Sequence, residues 1–314
     1  MTSEGPRWVW IDGKVVPADG PHLSVFDRGF QLGDGVFETL RARAGHVTEL
    51  DDHLARLRSS ADGLEIELPP TVEHVLAAGI AELLAAENLA GPDADASIRI
   101  TASRGAVRAR GLLPLVEAVR PTLAIQAWPV APPPTGHIER GLHLVTSAVR
   151  RDPTSPLVRL KTTSRADYVH ARLEAKRAGS DDALFLTIDG HLSEATSANV
   201  FLVQGAADRP RLATPSLACA ILPGTTRSWL LGWATTVGLE PVETTLTPGD
   251  LSAADEAFLS SSVAGILPVT RFEGAVIGTG RPGPWTLRAR ADREAFIRAG
   301  SSAGASSPSD RGPR

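Results

Sequence analysis

An α+β protein in two domains is the fold class this sequence predicts, and three observations predict it. Its 314 residues fit two domains better than one. The N-terminal stretch mixes β-rich runs with amphipathic helical repeats. Between the halves, Ala131-Pro132-Pro133-Pro134-Thr135-Gly136 places three prolines in a row, which forbid continuation of helix or sheet and favour a stiff extended segment. The expected division is a small N-terminal domain over 1–130, a linker over 131–136 and a C-terminal domain over 137–299. A tail over 300–314, rich in Ser, Gly and Pro, lacks apolar residues to dock and is expected to be disordered.

The elements follow in order. Trp8-Val9-Trp10-Ile11 and Lys14-Val15-Val16 flank Asp12-Gly13, the signature of a two-residue hairpin. Val36–Leu40 reads as a strand turning at Ala44-Gly45. Leu50, Leu54, Leu57 and Ala61 recur at helical spacing. A second helix is expected over about 71–88, started after Pro69-Pro70 and stopped by Gly91. Ser97–Ser103 and Thr122–Val130 read as strands. Beyond the linker come a strand at Leu142–Val149, a helix at Ser164–Arg177, strands at Ala183–Ile188 and His191–Val203, a helix at Thr225–Val237, a strand at Ala257–Ser262 and a last helix at Trp285–Ala299.

Composition narrows the function. Thirty-two basic and 36 acidic side chains leave a net charge of −4, which offers no general attraction to nucleic acid or an anionic membrane. The single cysteine, Cys219, excludes an intramolecular disulfide framework and a thiolate-rich metal site. No leader-like segment opens the chain and no run approaches the ~18–20 apolar residues of a membrane span, so a cytoplasmic protein is expected. Lysine occurs only at Lys14, Lys161 and Lys176. Where a solvated positive charge suffices, arginine replaces lysine, but a guanidinium cannot serve as an amine nucleophile. Lys14 sits beside a turn and Lys176 on a polar helix face; Lys161, between a short apolar run and a helix start, is the one placed to project into a cleft. Amine chemistry there requires a lowered pKa, from desolvation or neighbouring cations. A lysine that caps a carbonyl or pairs with a carboxylate is the plainer alternative.

Two more segments carry chemistry. In Leu222-Pro223-Gly224-Thr225-Thr226-Arg227 a turn delivers two hydroxyl residues to a helix start, where amides and the helix dipole favour an anion such as phosphate; an ordinary threonine cap is the simpler alternative. Ser193-Glu194, ahead of Asn199-Val200-Phe201, offers a carboxylate that could hold a proton on a heteroaromatic nitrogen.

In this order, Asp27-Arg28-Gly29-Phe30 through Phe37-Glu38-Thr39, His53-Leu54-Ala55-Arg56-Leu57, Leu160-Lys161-Thr162-Thr163, Ser193-Glu194, Leu222–Arg227 and Phe258–Ser262, the sequence resembles the fold-type IV enzymes that use pyridoxal 5'-phosphate. This is the class IV aminotransferase family, which includes branched-chain and D-amino acid aminotransferases and 4-amino-4-deoxychorismate lyases. The resemblance runs from about Trp8 to Gly274. It implies a smaller N-terminal α/β domain and a larger C-terminal domain with a β-barrel-like sheet core. It also implies that Lys161 forms the Schiff base with the cofactor and moves the proton at the substrate α-carbon, and that Glu194 pairs with the pyridine nitrogen. Arg56, Thr225, Thr226 and Ser262 would hold the phosphate. Tyr168 would meet the ring hydroxyl, although Arg165 stands where relatives often carry a tyrosine, so either residue can serve. Phe37 and Arg104 would face the substrate, a small amino compound, in at least a homodimer.

The reaction expected from these residues is the lyase, releasing pyruvate and 4-aminobenzoate. Arg99-Ile100-Thr101-Ala102-Ser103-Arg104-Gly105 is similar to a segment of the lyases and D-amino acid enzymes, and Leu32 replaces a tyrosine frequent in branched-chain enzymes. The alternative is an aminotransferase acting on branched-chain or D-amino acids with a 2-oxo acid acceptor. A binding protein without catalysis is disfavoured by the intact set Lys161, Glu194 and Arg56.

Overall fold

The computed structural model describes residues 5–113, 119–134, 136–205 and 209–304, the last three of these by backbone alone. Thr135 of the expected linker and residues 305–314 of the expected tail lie outside the described residues. The chain divides into two units, one of residues 1–131 with 292–314 and one of 132–291.

In the first unit, β1 (Trp8–Ile11) and β2 (Lys14–Pro17) form the expected hairpin. Asp12 and Gly13 both take positive φ, 45° and 94°, the backbone such a two-residue turn demands. The corner that follows, α1 (Arg28–Leu32), is capped by the Asp27 carboxylate, which accepts from the Gly29 amide and the Ser103 hydroxyl at 2.8 Å each. Next come β3 (Gly35–Arg43), β4 (His46–Val47), α2 (Leu50–Gly63), α3 (Val72–Ala86), β5 (Asp95–Ser103) and β6 (Thr122–Pro129). The strands make an antiparallel six-stranded sheet in the order β2-β1-β6-β5-β3-β4. Val36, Leu40, Ile98, Ile100 and Ile125 alternate onto one face and bury against Leu54, Leu57, Leu76, Ile80 and Leu83 of α2 and α3; burial of this apolar surface is the main term that holds the layer together.

The second unit contains β7 (Leu142–Arg151), a 3-10 turn (Pro156–Arg159), α4 (Ala166–Arg177), β8 (Asp182–Thr187), β9 (Leu192–Ala195), β10 (Asn199–Gln204), β11 (Arg211–Pro215) and a second 3-10 turn (Leu217–Cys219). It continues through α5 (Thr225–Val237), β12 (Glu240–Thr244), α6 (Pro248–Ser252), β13 (Glu256–Ser261), β14 (Gly265–Phe272), β15 (Ala275–Val276) and the start of α7 (Pro284–Gly304). Its sheet runs β12-β11-β10-β13-β14-β7-β8-β9, with β15 on β14, and curls so that β9 at one edge lies back against β10 and β11. Two helical crossovers produce parallel pairs: α4 joins β7 to β8 and α5 joins β11 to β12. Leu144, Leu184, Leu192, Leu202, Leu259 and Val269 form one core. The opposite face is covered by α5, where Leu230 and Trp233 pack on Phe201 and Phe258, and by α4, where Ala171 and Ala175 pack on Phe185.

Three expectations change. The run His191–Val203 is two strands, because residues 196–198 turn: the Ala195 amide donates to the Ala198 carbonyl and the Thr196 hydroxyl to Asp182. The stretch 300–304, expected in the tail, continues α7. The C-terminal domain expected over 137–299 ends at Ala291, since the chain from Asp292 belongs with the first unit. Two ion pairs tie this stretch to the first unit: Arg293 is buried and bidentate to Glu49 at 2.7 and 2.8 Å, and Glu294 meets Arg41 at 2.7 Å; Ile297 is buried as well. A buried guanidinium requires such a partner.

Candidate active site

The curled sheet of the second unit gathers Glu194, Tyr168, Arg151, Arg165 and Asn199 around one carboxylate. Glu194 stands on β9 and is 5% exposed. Its Oε2 accepts from the Leu222 amide at 2.9 Å and, more weakly, from Asn199 Nδ2 at 3.5 Å. Its Oε1 accepts from the Tyr168 hydroxyl at 3.3 Å. Arg151, the last residue of β7, donates to the Tyr168 hydroxyl at 2.6 Å and holds another nitrogen 3.8 Å from Glu194. A carboxylate has room for about four donors, so these three contacts stabilise the charge and leave capacity for one N–H more. That donor chemistry fits a protonated pyridine nitrogen.

Tyr168 is the chain's single tyrosine. One turn into α4, it packs edge-on against Phe185 of β8 with ring centroids 5.2 Å apart, and the Arg165 guanidinium covers its ring 3.1 Å from the centroid. Burial, and then the Glu194 charge, push the Tyr168 phenol up, outweighing Arg151 and Arg165. It therefore stays protonated, the form that can accept from Arg151 while donating to Glu194. Arg165 itself also donates to the Thr196 carbonyl at 3.0 Å, and burial pulls its guanidinium below the ordinary value. Lys161 is half-buried, just beyond the 3-10 turn and ahead of α4.

Residues 220–226 wrap the same carboxylate. Ser193 donates to the Ala220 carbonyl at 3.0 Å, and Asn199 Nδ2 to the Leu222 carbonyl at 3.1 Å. Gly224, at the N-cap of α5, lies so close to Asn199 that an added Cβ would stand 2.2 Å from its Oδ1. A glycine cap offers no side-chain acceptor, and the first-turn amides of α5 are directed out of the helix end, the arrangement that accepts an anion. Thr225 and Thr226 are buried there, and the Thr225 hydroxyl lies 3.4 Å from that of Ser262. Arg227 anchors the helix through Glu243 at 2.6 Å and the Pro215 carbonyl at 3.0 Å. Two residues before Ser262, on β13, the buried Ser260 hydroxyl has no partner among the described residues. Hydroxyls, a helix start and a tight glycine together fit a phosphate group.

Arg56, Phe37 and Arg104 belong to the first unit. Arg56 is bidentate to Glu38, 2.7 Å in each arm, and the fully buried Glu38 also meets His53 Nδ1 at 2.7 Å. Phe37 is buried, with the Arg99 guanidinium 3.9 Å from its ring centroid. Arg104 donates to Asp34 through Nε and Nη2 at 2.8 and 3.1 Å, and to the Glu65 and Leu64 carbonyls at 2.7 and 2.6 Å. This pairing ties the end of β5 to the end of α2. Arg28 shares Asp34 at 2.7 Å.

Arg151 and Asn199 are the site residues that sequence reasoning missed as contributors. Arg151 is one of many arginines, with no spacing to mark it, and the Leu222 amide has no side-chain signature. Asn199 stood within a recognised segment, but its grip on Glu194 and Leu222 depends on the curl of the sheet.

The sequence matches the amino-transferase class IV family over residues 35–272. It is 37% identical to a putative branched-chain-amino-acid aminotransferase of Methanocaldococcus jannaschii, over 89% of this chain and 93% of that protein. The aminodeoxychorismate lyase of Bacillus subtilis is 29% identical, over 86% and 88%. Among solved structures, the branched-chain amino acid aminotransferase of Thermobaculum terrenum in its PLP-form superposes with a TM-score of 0.82 at 25% identity, covering 94% of this chain and 95% of that one. The lean toward the lyase is thereby reversed: aminotransferases are the better-supported relatives.

Proposed function

Because this chain belongs to the class IV aminotransferase family, whose cofactor is pyridoxal 5'-phosphate, we propose that it transfers the amino group of a branched-chain amino acid to a 2-oxo acid. The observation that carries the reading is the Glu194 carboxylate, held by three donors and with room for a fourth. The similarity to branched-chain enzymes supports the choice of donor.

When bound, the cofactor supplies an electron sink for the substrate's α-carbon. Glu194 would hold a proton on the ring nitrogen, which favours that electron sink. Lys161 would hold the cofactor through its ε-amine, and the same amine would take and return a proton at the substrate's α-carbon. Tyr168, whose hydroxyl accepts from Arg151 and donates to Glu194, would support the cofactor ring through that carboxylate rather than through the ring hydroxyl. Thr225, Thr226, Ser262 and the start of α5 would bind the phosphate; Arg56, bidentate to Glu38, is kept as the sequence's candidate for a further phosphate cation. Phe37 is assigned to the substrate side chain. Arg104, committed to Asp34 and two carbonyls, is better suited to tying the end of β5 to the end of α2 than to gripping a carboxylate.

The same reading includes a homodimer working in the cytoplasm. Val25, Phe30, Leu112 and Leu113 of the first unit stand 67, 73, 81 and 85% exposed. They flank Arg28, which ties the two segments together through the Gly111 and Leu112 carbonyls; an apolar surface of this kind fits a second copy of the chain. No helix among the described residues is long and apolar enough to cross a membrane.

The test is a donor and acceptor screen. Stoichiometric conversion of the cofactor to its amino form by leucine, isoleucine or valine, with turnover on adding 2-oxoglutarate, is the expected result. Catalytic release of 4-aminobenzoate from 4-amino-4-deoxychorismate with no oxo acid present overturns it, and turnover confined to D-alanine overturns the choice of donor.

A further inference from the structure

Arg165 stands half-buried at the N-cap position of α4. Taking a guanidinium out of water is costly, and what offsets the cost is what the side chain touches. Its guanidinium carbon stands over the Tyr168 ring, 3.1 Å from the centroid, and one Nη donates to the Thr196 carbonyl at the β9–β10 turn, 3.0 Å away. Arg151 lies 5.0 Å from the same ring centroid and bonds the hydroxyl. The phenol is thus held by two guanidinium ions, with Phe185 against its edge.

We propose that Arg165 is a positioning residue: it clamps the Tyr168 ring so that the hydroxyl bridges Arg151 and Glu194, and through that hydroxyl it controls how much charge Glu194 presents to the cofactor's ring nitrogen. The inference rests on the proposed cofactor role of Glu194. Thr196 links the clamp to the turn that follows Glu194, and its own hydroxyl is tied to Asp182 at 2.6 Å, which in turn meets Arg172 at 2.8 Å. The charges of Asp182 and Arg172 are therefore already matched to each other. An ammonium at position 165 would keep the charge but lose the flat face and the fork of donors.

The experiment has two readouts. With one tyrosine in the chain, carbon-13 labelling of the tyrosine ring yields a single Cζ resonance, which follows the hydrogen bonding of the Tyr168 hydroxyl in protein free of cofactor. The second is the pH midpoint of the bound cofactor's visible absorbance. R165M should displace the Cζ resonance and raise the midpoint by about one pH unit, because a carboxylate less neutralised by its donor favours protonated neighbours. R165K should move both in the same direction. In the Y168F background, R165M should add nothing to the midpoint. An unmoved Cζ resonance in folded R165M, wild-type behaviour in R165K, or fully additive midpoint shifts overturns the clamp; if R165M does not fold, R165K decides. A wild-type protein that takes up no pyridoxal phosphate sinks the proposed function instead, while the Cζ readout still judges the clamp.

Discussion

One helix offers two glycines whose replacement by alanine should have opposite effects. At Gly224 the backbone φ is −73°, so alanine meets no backbone strain and the whole penalty is steric. The new Cβ would lie 2.2 Å from Asn199 Oδ1, and Asn199 is 6% exposed with its amide committed to the Leu222 carbonyl and Glu194. Either α5 shifts or Asn199 turns away. Crowding of a packed site costs about 1–3 kcal/mol and a broken buried hydrogen bond adds about 0.5–1.5 kcal/mol. At about 2–4 °C per kcal/mol, G224A should lower Tm by roughly 5–15 °C. Gly232, in the middle of the same helix, is exposed and an added Cβ would touch nothing within 4 Å; G232A should stabilise by about 0.5–1 kcal/mol through helix propensity and a less flexible unfolded chain. Thermal unfolding by circular dichroism reads both, and dialysis against pyridoxal phosphate should show weaker retention in G224A, since Asn199 helps hold the segment that bonds Glu194. Equal shifts in the two variants, or a G224A Tm within about 1 °C of wild type, would refute the steric argument.

Other variants separate chemistry from scaffold. K161A should abolish turnover while leaving the far-ultraviolet circular dichroism unchanged, and borohydride reduction followed by peptide mapping should find no pyridoxyl label on the variant; turnover near wild type removes Lys161 from its role. E194Q should lower kcat by at least about 100-fold, the scale of losing one charge-stabilising group, because an amide cannot hold a proton on the ring nitrogen; a change confined to KM contradicts the assignment. Asp95 supplies the pH test. Burial pushes its carboxyl up, but hydrogen bonds and charge from Arg41 and Arg43 outweigh this and hold it below the usual range. Its folded value lies under the unfolded one, so its stabilisation is complete above about pH 4 and is lost as the pH falls through the folded value. The Tm gap between wild type and D95N should therefore be open at neutral pH and close in acid, whereas a gap independent of pH contradicts the pairing.

What the sequence disclosed was local, and what it hid was set by curvature. Lys161 could be singled out because an arginine-rich chain retained an amine at a strand-to-helix junction, and the α5 anion site because glycine, threonine and a helical repeat are neighbours along the chain. The strands β11, β12 and β14 escaped notice: β11 and β12 are short, and each of the three contains a proline, at Pro215, Pro241 and Pro268, which weakens a strand pattern. The division of α7 was equally hidden, since nothing within 284–304 signals that Arg293 is matched to Glu49 across 244 residues. The same reason accounts for the incomplete view of the carboxylate site. Tyr168 reaches Glu194 from 26 residues away and the Leu222 amide from 28, separations that carry no period and become contacts only when β9 folds back toward β10. Where sequence reasoning left Arg165 and Tyr168 as rivals for one task, the structure brings them together: the phenol has the hydroxyl that meets Glu194, and the guanidinium stands over the phenol ring. A residue that replaces another in sequence can thus keep a site intact by supporting its substitute from a neighbouring turn, and that possibility is invisible until the side chains are seen to meet.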